Sequence, residues 1–111
     1  MIIAEEELDG GIIRLDLDGR LDIEGAKALD SKMSVIAASR KAVIVDLRRV
    51  SFLASMGLRS LVLPARTIKG RGGKVVLVGP NELVEKVLKT SGIDTVIPIH
   101  KELQSALTAL Q

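Results

Sequence analysis

Few residues in this chain are of a type that could do chemistry. The only histidine is His100, and there is no cysteine. One histidine without thiolates cannot assemble a common zinc site, and disulfides and thiol nucleophiles are excluded. Ser55 sits between a strand-like and a helix-like segment, as the serine of a nucleophile elbow does. That elbow needs glycine two residues earlier, where this chain has Leu53, and no second histidine is present as a base. The acids Glu5, Glu6, Glu7, Asp16 and Asp18 lie on segments whose alternation sends neighbours to opposite faces, so they read as wet-face charges. Gly70-Arg71-Gly72-Gly73-Lys74 carries glycines and a lysine, but it runs from helix to strand and Val75 follows the lysine. A phosphate loop runs from strand to helix and continues with Ser or Thr. No catalytic residue, metal site or cofactor site is therefore expected, and Ser55 remains as the residue of interest.

The elements that would position Ser55 follow from periodicity. Residues Ile2 to Leu8 and Ile12 to Asp18 read as strands joined at Asp9-Gly10, a pair that suits a tight hairpin turn. Ile13, Leu15 and Leu17 alternate with charged residues, which predicts one buried face. Asp22 is placed to cap a helix over Ile23 to Ser39, with Ile23, Ala26, Leu29, Met33, Ile36 and Ala37 as its apolar stripe. Ala42 to Leu47 and Lys74 to Val78 are continuous apolar runs that suit inner parallel strands. Arg40-Lys41 and Arg48-Arg49 bracket the first run and are expected at solvated element ends.

Between the two runs a helix is predicted from Ser55 to Lys69, with Met56, Leu58, Leu61, Val62, Ala65 and Ile68 inward. Pro64 in its interior predicts a kink or two shorter helices. A helix over Glu82 to Thr90, a strand over Thr95 to Ile99 and a last helix carrying Leu103, Ala106, Leu107 and Leu110 complete the order β-β-α-β-α-β-α-β-α. This is an α/β chain read as one domain over residues 1–111.

Composition narrows the function classes. Phe52 is the only aromatic residue, which argues against the stacking platforms of single-strand nucleic-acid binding. Sixteen basic and fourteen acidic side chains give a net charge of +2 without a basic patch, so no nucleic-acid partner is expected. No apolar run approaches the ~20 residues of a membrane span, and the first residues are not expected to act as a signal peptide. A soluble, cytoplasmic protein without direct membrane insertion is expected. Ser55 has a purely structural explanation as an N-cap, and Gly57 then lets a neighbour approach the first turn.

Taken together, Gly19-x-Leu21-Asp22, Asp46-Leu47, Phe52-Leu53-x-Ser55-x-Gly57-Leu58, Lys74 to Gly79 after a Gly-Gly turn, Gly92-Ile93 and Ala106-Leu107 resemble the STAS domain. More narrowly they resemble the bacterial anti-sigma-factor antagonists. The resemblance implies a mixed sheet of about five strands with four helices packed mainly on one side. It implies a non-enzymatic regulator of transcription whose partner is an anti-sigma factor with serine kinase activity, which phosphorylates Ser55 and so ends the complex. It places Asp22, Ala54, Ser55, Met56, Gly57 and Leu58 at the partner-binding surface, with Asp22 near the phosphorylation site. Two positions depart from the family: Ala54 stands where an acid usually precedes the serine, and Pro64 is unusual in the following helix. A scaffold or accessory subunit of a membrane transport or sensory complex is the alternative, with no phosphate on Ser55. A small nucleotide-binding or enzymatic α/β protein is the third.

Overall fold

The computed structural model describes all 111 residues. Strand β1 (Ile2–Leu8) runs antiparallel to β2 (Ile12–Leu21), and the turn between them takes positive φ at Gly10 and Gly11. Helix α1 (Ile23–Ser39) leads to β3 (Ala42–Leu53), and α2 (Ser55–Gly70) to β4 (Lys74–Val78). Helix α3 (Glu82–Thr90), a 3-10 turn over Ile93–Thr95, β5 (Ile99–His100) and α4 (Leu103–Leu110) follow. The five strands stand in the order β1-β2-β3-β4-β5, and β2 to β5 are mutually parallel. The expected mixed sheet and element order are both present.

Alternation along the strands divides the core in two. Ile13, Leu15, Leu17, Val43, Val45, Leu47, Val75 and Leu77 meet α1, α2 and α3 in the larger cluster. Ile12, Ile44, Val76 and Val78 meet Ala106 of α4 on the opposite face. Three helices thus cover one face, and one covers part of the other.

Several boundaries differ from the sequence expectation. β2 runs to Leu21 rather than Asp18, and β3 runs to Leu53 rather than Leu47, because the two strands keep pairing past their apolar runs through register shifts near Asp18 and Gly19. Arg48 and Arg49 therefore lie inside β3, not at its end. Arg48 donates to the fully buried Asp46 at 3.0 Å, and Arg14 donates to the same carboxylate from β2 at 3.0 Å. The strand expected over Thr95 to Ile99 shrinks to Ile99–His100, since residues 93–95 coil into the 3-10 turn and Pro98 has no N–H to give a ladder. Pro64 does not divide α2 into two helices. Leu61, Ala65 and Ile68 anchor the helix to the core on both sides of it.

Candidate functional site

Strands β2, β3 and β4 are parallel, so the helices that follow them all start at one end of the molecule. There the edge of the sheet is finished by Leu21 and Leu53, which are register partners, and by a hydrogen bond from the Ala54 N–H to the Leu21 carbonyl of 3.1 Å. This last rung fixes where α2 begins. Ala54 has extended backbone and is the N-cap residue, and its carbonyl accepts the first helical bond from Leu58 N–H at 3.1 Å.

Ser55 is accordingly the first helical residue and not the cap. It is exposed, and its hydroxyl holds no hydrogen bond within the protein. The structural explanation of Ser55 as an N-cap is corrected on this point: the ladder, not the side chain, sets the helix start. Because the cap residue is alanine and the first turn has no acid, the positive end of α2 carries no side-chain compensation.

Gly57 is buried, and a Cβ on it would lie 2.6 Å from the Leu21 carbonyl oxygen and 2.6 Å from Leu21 Cγ. The close approach inferred from sequence is therefore internal. Gly57 seats the helix start on β2 and offers no surface of its own. Ser60, which the sequence pattern did not single out, donates from its hydroxyl to the Met56 carbonyl at 3.1 Å and the Ala26 carbonyl at 3.3 Å. It is 2% exposed and clamps the first turn of α2 to α1. A serine five residues after Ser55, inside the same predicted helix, was its only sequence signal.

The end of the molecule at which the helices start is apolar to a degree the helical stripes did not predict. Met56 is 44% exposed and Ile23 60% exposed, although both were expected inward. Leu83, on the first turn of α3, is 59% exposed. Each lies within two residues of its helix cap, beyond the sheet edge that would have covered it. Leu58 is half-buried against the core.

Asp22 caps α1 as expected, accepting from the Gly25 N–H at 3.0 Å. That hydrogen bond holds its carboxyl below the usual carboxylate range, and Arg20, 3.6 Å away, adds to the effect. Arg20 also lies over the Phe52 ring, 4.3 Å from its centre, which occupies the only aromatic residue of the chain. Asp22, Ala54, Ser55, Met56 and Leu58 thus share the end at which α1 and α2 start. No group of three or more His, Cys, Asp or Glu side chains converges there or elsewhere to hold a metal ion. No helix is long and apolar enough to cross a membrane.

The STAS domain model matches residues 4–106. The chain belongs to the STAS domain family. It is 28% identical over 102 residues to the anti-sigma-F factor antagonist RsfB of Mycobacterium tuberculosis, covering 91% of this chain and 83% of that one. The crystal structure of an anti-sigma factor antagonist from Mycobacterium paratuberculosis superposes with a TM-score of 0.85 at 29% identity, over 98% of this STAS domain and 92% of that chain. The STAS domain of a SulP transporter from Vibrio cholerae shares the fold at 24% identity, with a TM-score of 0.72 over 92% and 82% of the two chains. This STAS domain thus has antagonists of anti-sigma factors among its relatives.

Proposed function

We propose that this STAS domain is a cytoplasmic anti-sigma-factor antagonist that works by binding rather than catalysis. It holds a kinase-type anti-sigma factor, frees the sigma factor, and lets go when Ser55 is phosphorylated. The observation that carries the reading is the state of Ser55: exposed, hydroxyl unengaged, at the start of a helix whose cap is empty. A hydroxyl with no structural task is available to a kinase, and the exposed Met56, Ile23 and Leu83 give a partner apolar surface at the same end of the molecule. The antagonist relatives, matched over most of the chain, support an anti-sigma factor as that partner.

A phosphate on Ser55 adds about −1.5 to −2 charges at pH 7. It meets the uncompensated positive end of α2, so the domain keeps its fold. The penalty falls on the complex, where the phosphate is desolvated against the apolar surface and repelled by Asp22. Ala54 in place of the usual acid leaves the helix start free of a second negative charge and makes the contrast between the two states larger.

Affinity capture from native lysate with wild type, Ser55→Ala and Ser55→Glu as baits tests this. A kinase-type anti-sigma factor retained by the first two and lost with the third is the expected result. Membrane-transport subunits captured equally by all three overturn it.

A further inference from the structure

Strand β4 has an unfinished edge. The Lys74 N–H bonds the Lys41 carbonyl on the β3 side, whereas the N–H groups of Leu77 and Gly79 bond the carbonyls of Pro98 and His100 on the β5 side. By that alternation the N–H and C=O of Val75 point to the β5 side as well. β5 meets β4 only at Leu77 and Val78. Ahead of it Pro98 has no N–H, and the N–H groups of Thr95, Val96 and Ile97 are spent on Gly92 and Ile93 inside the 3-10 turn. The segment therefore arches away from β4 and leaves a cavity of about 410 Å³ in the vacated rung, within the roughly 300–1,000 Å³ of small-molecule sites.

Its walls and mouth differ in character. Ala65 of α2, Val96, Pro98 and Ala109 of α4 make the walls apolar, while Lys69, Lys74 and Asp94 stand at the mouth. None of the three charged residues is in an ion pair within the protein. Two cations against one anion leave the mouth net positive.

We propose that this cavity binds a small apolar molecule carrying a secondary amide and a carboxylate, of the class of N-acylated apolar amino acids. The amide N–H donates to the Val75 carbonyl and one oxygen of the carboxylate accepts from the Val75 N–H, as the N–H and C=O of a residue in an added strand do. The apolar side chain fills the space between α2 and α4. The carboxylate also meets the ammonium groups of Lys69 and Lys74. The site is separate from the Ser55 end, since it opens where β4 begins.

The test is a titration of the full chain with N-acetyl-leucine, followed by the backbone amide signals in ¹H–¹⁵N spectra. Saturable shifts centred on Val75, Val76, Thr95 and Val96 are expected. N-acetyl-N-methyl-leucine, which lacks the donor, and N-acetyl-leucinamide, which lacks the anion, are each expected to bind about tenfold more weakly, the cost of one lost polar contact. Ala109→Trp, which fills the cavity from α4, is expected to abolish the shifts. Its folding is checked by circular dichroism, and Lys69→Gln/Lys74→Gln serves as a second variant that leaves the walls intact. No saturable shift at Val75 up to the solubility limit of the probe overturns the proposal. So do shifts that persist undiminished in whichever of these variants is folded.

Discussion

If Ser55 is free of structural duty, removing its hydroxyl leaves stability unchanged. A serine N-cap replaced by alanine costs about 1 kcal/mol, within a range of about 0.5–2. Here the cap is Ala54 and the Ser55 hydroxyl holds no partner, so Ser55→Ala is expected to stay within about 0.5 kcal/mol of wild type, as surface substitutions do. Ser55→Glu places a negative charge in the first turn of a helix without other acids there, which is favourable by about 0.3–1 kcal/mol. In a domain of this length 1 kcal/mol moves the melting midpoint by about 4 °C. The predicted order of midpoints is therefore Ser55→Glu at or slightly above wild type, with Ser55→Ala indistinguishable from it. The chain has no Trp or Tyr, so unfolding is followed by circular dichroism in a urea and a thermal series. Binding to the captured anti-sigma factor is expected to move the other way. Shifting a complex from almost wholly bound to almost wholly free takes about 5.5 kcal/mol. Glutamate carries about half the charge of a phosphate, which makes a loss of about 2.7 kcal/mol, or a hundredfold in Kd, the expected effect. A loss of 1 kcal/mol or more in Ser55→Ala refutes the reasoning, because the hydroxyl then caps the helix. Unfolding of Ser55→Glu refutes it as well.

Installing the missing cap with Ala54→Asp is expected to stabilise the domain by about 1 kcal/mol in the same urea series. Gly57→Ala gains up to about 1 kcal/mol of helix propensity but drives a methyl into the Leu21 carbonyl. Overpacking wins, and a net loss of about 1–2 kcal/mol is expected. Asp46→Asn leaves Arg14 and Arg48 without their buried partner. The expected cost is about 3 kcal/mol, at the low end for a broken buried pair because the Arg48 side chain is 49% exposed and water screens it. Burial pushes the Asp46 carboxyl up, but hydrogen bonds from Arg48 and Arg14 outweigh it and hold the group below its ordinary value. The stability it contributes is full above the unfolded value of about 3.9 and is lost as pH falls through the lower folded value. Urea midpoints measured from pH 5 downward are expected to fall more steeply in wild type than in Asp46→Asn.

The order of the elements and most of the core were legible in the sequence, because each is a local matter. Period-two alternation in β2, unbroken apolar runs in β3 and β4, and an acid ahead of the α1 stripe all act within a few residues of themselves. The family could be read as well, since its motifs are ordered along the chain. What the sequence left open depends on residues far apart. Asp46 looked like the end of a strand, and only the parallel pairing of β2 and β3 brings Arg14, thirty-two positions away, onto its carboxylate. Ser55 carried two explanations at once, cap and switch. The rung between Ala54 and Leu21 starts the helix one residue earlier than the serine could, which removes the cap explanation. Helical spacing assigned Ile23 and Met56 to the core, but spacing gives only a direction around the axis. Whether anything lies in that direction depends on where the sheet ends, and at this end it stops at Leu21 and Leu53.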